Sequence, residues 1–411
     1  MKNLTTILIF FLFLSNSAFA QVETCNCKTD LDFVVAKMKK MPSYKRQIKG
    51  EKLIAFNTMY QSLSKEMTAP IAIENCYQLL LKQLLLVNDA HASLSINSKF
   101  LSESILKDKA KLASFKLTAL YKNHPKTTRD IAKLKEELSN KSINDLEGIY
   151  NYKDNQKIGI YYDTNKKDLI GVVLENNLNN WEIGEISFYA THINTEKYNV
   201  YQYHLDTKTP RFVKSLTFEN GRIWSYKKVG NTFNFELPKE NQTELEFKQL
   251  NDNTQYLYFG NFSNSKKKKH LEFFKNTKDK LTAKNIIVDL RSNGGGNKKY
   301  SDSFLKLLKN KNIYILTNCF TVSNSEQFTV KLKKIKNAKH LGQTTFGVIA
   351  YGINYGRSYN SPSGNFTITP TDMNFNKYLK YESKGVSPEK KLAFDTDWIA
   401  QTLAIIASKN I

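Results

Sequence analysis

Asn285-Ile-Ile-Val-Asp-Leu-Arg-Ser-Asn-Gly-Gly-Gly296 is followed, after a segment with helical spacing, by Ile313-Tyr-Ile-Leu-Thr-Asn-Cys-Phe-Thr-Val-Ser-Asn-Ser-Glu326. Each half is a short apolar β-like run that ends in a special turn. The first turn is three glycines (Gly294, Gly295, Gly296), which expose backbone N–H groups. The second presents Ser323 just before a helical pattern, a good position for a nucleophile. Together they suggest an acyl-transfer site whose base must come from elsewhere in the chain.

Around this stretch, from Leu245 to the carboxyl terminus, strands and helices alternate. Tyr256 to Phe259, Ile286 to Leu290 and Ile313 to Leu316 read as strands, and Leu271 to Leu281, Lys298 to Leu308 and Ser325 to Ile335 as helices. Such alternation predicts an α/β domain with its site at the strand carboxyl ends. We place this domain at 241–411. Before it, at 145–240, alternating runs such as Ile158, Ile160 and Tyr162 predict a β-rich domain, a small barrel or sandwich. Asn220-Gly221 and Gly230-Asn231 are its two-residue hairpin signals. From 21 to 144 the spacing is helical, with Leu31, Val34, Val35 and Met38 on one face and Leu79, Leu80, Leu84 and Leu85 on another. Leu94 and Ile96 then alternate as a short strand, and helices are expected over Leu101 to Tyr121 and Thr128 to Leu138.

Residues 1–20 read as a signal peptide: Lys2, an apolar run from Leu4 to Leu14, then Ala18-Phe19-Ala20 as a cleavage site. The run is shorter than the roughly 20 residues a membrane span needs, and no later run is longer. The expectation is an exported protein, periplasmic or extracellular, with no integral membrane span. An oxidising compartment would allow Cys76 to pair with Cys25 or Cys27. Cys25-Asn-Cys27 looks like half a metal clip, but no second Cys/His pair follows at ligand spacing, so we expect no metal. Cys25 also lacks a lipobox before it, and Cys319 reads as a buried thiol.

The 411 residues carry a formal net charge of +23, from 61 basic and 38 acidic residues. That excess would suit nucleic acid or an anionic envelope. The plainer reading is a lysine-rich solvated surface, with Lys266 to Lys269 as a solvated turn. No RNA-binding aromatic motif, helix-turn-helix signature or zinc finger is present, and nucleic acid is not an expected partner. His192 and His204 stand alone among aromatics and read as packing or surface residues.

The glycine turn could cradle a phosphate, but Gly296 is followed by Asn297 rather than Lys-Ser or Lys-Thr. It suits an oxyanion better, where one aimed donor contributes roughly 3 kcal/mol of transition-state stabilisation. Ser323 alone is an ordinary helix N-cap. The wider phrases decide the reading. Asp289-Leu-Arg-Ser-Asn-Gly-Gly-Gly296, Thr321-Val-Ser-Asn-Ser-Glu326, Gly342-Gln-Thr-Thr-Phe-Gly347 and Glu382-Ser-Lys-Gly-Val-Ser-Pro388 together resemble the tail-specific, or C-terminal processing, serine peptidases. The resemblance covers Leu245 to Phe394 and implies a crotonase-like catalytic domain with Ser323 as nucleophile.

In the main branch of that family a lysine after Thr-Phe-Gly is the base, whereas here Val348 stands there. A second branch, resembling the tricorn core protease, uses a histidine and a glutamate. Asp89-Ala-His91-Ala is similar to its Asp-Gly-His-Thr phrase, and Glu382 matches its glutamate. The resemblance therefore implies His91 as base and Glu382 as the carboxylate that orients it. It also implies Asn324 and either Gly294 or Gly295 as oxyanion donors, with Asp289 and Arg291 bracing the turn. The segment 145–237 lacks the carboxylate-binding loop of a PDZ domain, so recognition of substrate carboxyl termini does not carry over. The expectation is an exported serine endopeptidase acting on proteins or peptides without metal or organic cofactor. The rival is a non-catalytic envelope binding protein that keeps the peptidase fold, and a further one is a polyanion-binding module.

Overall fold

The computed structural model describes residues 23–97, 107–152, 155–194 and 196–408. The expected signal peptide and the start of the helix expected at Leu101 lie outside the described residues.

Four helices open the fold: α1 (Cys27–Met38), α2 (Pro42–Gln47), α3 (Glu51–Glu66) and α4 (Ile73–Leu84). Asn26 caps α1 by accepting from the Thr29 amide, and Pro42 starts α2, where a missing N–H costs nothing. Leu31, Val34 and Met38 of α1 are buried with Tyr77, Leu80 and Leu84 of α4 in one core. A disulfide between Cys27 and Cys76 ties the same two helices, and β1 (Thr24–Cys25) pairs with β2 (Ile71–Ala72) beside it. The choice left open by the sequence thus falls to Cys27. After α4 the chain turns through Val87 to His91 into β3 (Ser93–Ile96).

Eight strands form a closed barrel: β4 (Gly148–Tyr152), β5 (Gln156–Tyr162), β6 (Leu169–Asn176), β7 (Ile186–Asn194), β8 (Lys197–Tyr203), β9 (Pro210–Glu219), β10 (Arg222–Ile223) and β11 (Tyr226–Lys228). Closure leaves no open edge. Inward-facing Tyr150, Ile158, Ile160, Phe188, Val200 and Phe218 belong to its buried core. Asn220 and Gly221 both have positive φ, 54° and 62°, and join β9 to β10 as a tight hairpin. Gly230-Asn231 is not a hairpin. It follows β11 and leads the chain out of the barrel, with the Asn231 amide donating back to the Lys228 carbonyl.

The third unit is a six-stranded sheet in the order β12 (Leu245–Asn251), β13 (Thr254–Phe259), β14 (Asn285–Asp289), β15 (Asn312–Thr317), β16 (Ala338–Gly342) and β21 (Lys390–Lys391). All neighbours from β13 onward are parallel. Helices Lys267–Thr277, Lys298–Leu308 and Asn324–Leu332 connect them. Every residue of β14 is buried, as expected for a parallel strand covered on both faces. Ile286 and Val288 pack with Phe304, Phe328 and Leu332 on one face, while Ile287 packs with Trp398 and Ile406 on the other. Lys266 to Lys269 do not form a plain turn: Lys267 begins a helix, and Lys266 and Lys269 both pair with Glu244 at 3.3 Å.

Between β16 and β21 lie four short strands, β17 (Tyr351–Gly352), β18 (Tyr359–Asn360), β19 (Phe366–Thr369) and β20 (Met373–Asn374). β3 pairs antiparallel with β19, placing Leu94 opposite Ile368. This pairing makes a three-stranded sheet, β18-β19-β3, that carries the chain following His91 onto the insertion between β16 and β21.

Candidate active site

β14 and β15 are parallel neighbours, so the turns after their carboxyl ends lie side by side. The glycine turn follows one and Ser323 the other. Their link is the Asn293 carbonyl, which accepts from the Val322 amide at 2.9 Å and from Ser325 Oγ at 2.7 Å. Ser323 sits at φ 62°, ψ −121°, a conformation that costs a side-chain-bearing residue about 1–3 kcal/mol. The cost is met locally by the Glu326 carboxylate, which accepts from the Ser323 amide at 2.9 Å. Gly295, at φ +85°, fits against this elbow. A Cβ there would lie 2.8 Å from Ser323 Cβ and 2.9 Å from the Asn324 nitrogen.

His91 comes to the same place from the amino-terminal unit. Its Nε2 lies 3.2 Å from Ser323 Oγ. Asp89 shapes the loop: Oδ1 accepts from the His91 and Ala92 amides at 3.1 and 3.2 Å, and Oδ2 from Thr371 Oγ1 at 2.6 Å. Burial holds the imidazole pKa below its ordinary value, against the opposing pull of Asp89. A neutral ring at physiological pH is the state that can accept the serine proton.

Glu382 is close by, but it does not hydrogen-bond the ring as the expected triad requires. Its Oε1 accepts from the Ala90 amide at 2.9 Å, and its Oε2 from the Ile349 and Ala350 amides at 3.0 and 2.8 Å. With both oxygens so engaged, His91 Nδ1 is buried and finds no acceptor among the described residues. Glu382 therefore holds the residue before His91 rather than His91 itself. Burial outweighs the three amide bonds and pushes its pKa up to about 7.

The expected oxyanion donors also separate. The Gly295 amide already donates to Asn293 Oδ1 at 2.8 Å. The Gly294 and Asn324 amides have no acceptor among the described residues, and Gly294 is exposed. Asp289 and Arg291 brace the turn, with Nη2 2.6 Å from Asp289 Oδ2 and Nη1 on the Phe235 carbonyl.

Glu326 is buried and has further partners. Besides Ser323 it accepts from Thr345 Oγ1 and from the Gly347 and Val348 amides. The position where the main branch has its lysine thus contributes a backbone N–H to the carboxylate that supports the nucleophile. The signal was the Thr-Thr-Phe-Gly phrase, read only for its missing lysine. Cys25, Asp30 and Cys76 have donor atoms within 4.8 Å of one another, but Cys76 is committed to its disulfide and is not a free ligand. Cys319 is buried, as expected, and burial pushes its thiol up to about 12.

Residues 298–391 match the model of peptidase family S41. The match covers the segment from helix Lys298–Leu308 to β21 and not the rest of the chain. That match supports a serine peptidase, a hydrolase, as the class of enzyme. No curated protein sequence matches the chain. Among solved structures it is similar to the tricorn protease at 12% identity and TM-score 0.44, covering 93% of this chain and 37% of that one. It is similar to mature CPAF at 10% identity and TM-score 0.43, with 93% and 96% covered. The photosystem II D1 C-terminal processing protease gives 13% identity and TM-score 0.37, with 90% and 93% covered. Among the described residues no helix is long and apolar enough to cross a membrane.

Proposed function

We propose that this chain is a serine peptidase of family S41, an exported endopeptidase with a crotonase-like catalytic domain, in which Ser323 is the nucleophile and His91 its base. The observation that carries this reading is the 3.2 Å approach of His91 Nε2 to Ser323 Oγ. It is within the range expected of a nucleophile–base pair before substrate binds.

In the reaction so proposed, Ser323 Oγ attacks the peptide carbonyl carbon while Nε2 takes its proton. The Gly294 and Asn324 amides donate to the oxyanion, and the imidazolium then returns the proton to the leaving amine. Water, deprotonated by the same nitrogen, releases the acyl group from Ser323. Nε2 must start unprotonated, which puts the ring proton on Nδ1. Glu382 acts as a positioning residue through the Ala90 amide. No step requires a metal or organic cofactor.

Ser323→Ala tests the assignment. We expect an unchanged melting temperature and loss of all hydrolysis of an unfolded protein substrate. Hydrolysis that persists in that variant contradicts the assignment.

A further inference from the structure

Two lysines on adjacent barrel strands leave the barrel and end in the catalytic loops. Lys214, on β9, donates from Nζ to the Val87 and Asp89 carbonyls, each at 3.1 Å. These carbonyls lie on the loop that presents His91. Lys197, on β8, is fully buried and donates to the Thr345 and Phe346 carbonyls at 3.1 and 2.9 Å and to Thr217 Oγ1 at 3.2 Å. Thr345 is also the residue whose hydroxyl donates to Glu326, which in turn holds the Ser323 amide.

An ammonium withdrawn from water without a carboxylate bonded to it is costly, most of all at the buried Lys197 and less at the half-buried Lys214. Besides the Ser215 carbonyl and Thr217 Oγ1 on β9, which Lys197 also meets, the acceptors are backbone carbonyls of loops distant in sequence, 125 residues away for Asp89 and 148 for Thr345. The two contacts divide between the two halves of the site. One fixes the loop of the base, the other the support of the nucleophile. Burial lowers the pKa of both lysines, opposed at Lys214 by the Asp89 and Glu382 carboxylates and at Lys197 chiefly by Cys319 and Glu326.

We infer that the barrel is a working part of the active site, and that Lys214 and Lys197 are positioning residues that set His91 against Ser323. This rests on the catalytic reading above, and its test is built to fail separately from it. Three measurements are made on Lys214→Met, Lys214→Arg and Lys157→Met, the last altering an exposed barrel lysine paired with Glu175. They are peptide hydrolysis, the rate of Ser323 labelling by a fluorophosphonate, and amide exchange of residues 87–92.

For Lys214→Met we expect kcat and the labelling rate to fall about 10- to 100-fold with KM within about twofold, because a misplaced base costs turnover and not binding. Exchange should quicken in 87–92 and stay unchanged in the barrel strands. Lys214→Arg should recover most of the rate, and Lys157→Met should behave as wild type. Unchanged exchange at 87–92 in Lys214→Met overturns the inference, as does a uniform quickening over the whole chain. Should the wild type itself fail to label, the catalytic reading falls, while the exchange at 87–92 still decides the positioning role.

Discussion

His91 Nε2 lies 3.2 Å from Ser323 Oγ although the two residues are 232 positions apart in the chain. Nothing local brings them together. β3 carries the segment after His91 onto β19, Asp89 and Glu382 fix the loop before it, and the turn after β15 presents the serine.

Glu382 should set the acidic side of the pH profile. Burial pushes its pKa up to about 7, so it takes up a proton as pH falls through neutrality and then loses the ionised form that accepts from three amides. We expect kcat to decline as pH drops through about 7. In Glu382→Gln kcat should be about tenfold lower at its optimum, since the loop is held less well. The remaining acidic limb should belong to His91 and lie below the ordinary imidazole value of 6.5. A variant limb still near neutrality would contradict the assignment of that limb to Glu382.

The two glycines should respond in opposite ways. Gly294 has open space around a new Cβ, and an alanine there keeps the amide, so Gly294→Ala should leave kcat/KM within about threefold. Gly295→Ala would press on the Val322 carbonyl at 2.7 Å and on Ser323 itself, at a φ of +85°. We expect it to lower kcat about 100-fold, the scale of a small misplacement of the nucleophile. Peptide hydrolysis by the purified variants decides between them.

Glu326 should matter for stability as well as activity. Glu326→Ala leaves the Ser323, Gly347 and Val348 amides and the Thr345 hydroxyl without their acceptor. At about 1–3 kcal/mol for each buried unpaired group, partly relieved by water, urea denaturation should show a loss of about 3 kcal/mol or more. A variant as stable as wild type would mean that the carboxylate is not the support described.

The Cys27–Cys76 disulfide closes a loop with a sequence separation of 49. On the chain-entropy account such a loop is worth about 4 kcal/mol. Cys27→Ser should therefore lower the melting temperature clearly and quicken proteolysis of α1 and α4. A melting curve that matches the wild type would show that the helices' own core suffices.

The sequence made the parallel strands, the serine elbow and the histidine phrase legible because each is a local pattern with a physical cause. Continuous apolar runs mark buried strands, and the glycines mark tight turns. It did not show that Glu382 would bond to backbone amides, since spacing carries no information about which N–H a buried carboxylate meets. Lys197 and Lys214 were invisible for the same reason. In a chain with 61 basic residues, two that turn inward have no distinguishing neighbours in sequence. Gly230-Asn231 misled because a turn signal says that the chain bends and not that a second strand follows.

The central claim, that His91 activates Ser323, is tested most directly by intact-protein mass spectrometry after exposure to a fluorophosphonate. The account predicts one adduct, on Ser323, in the wild type, and none above the slow background in His91→Ala at an unchanged melting temperature. Equal labelling of the two proteins, or no labelling of either, would contradict it.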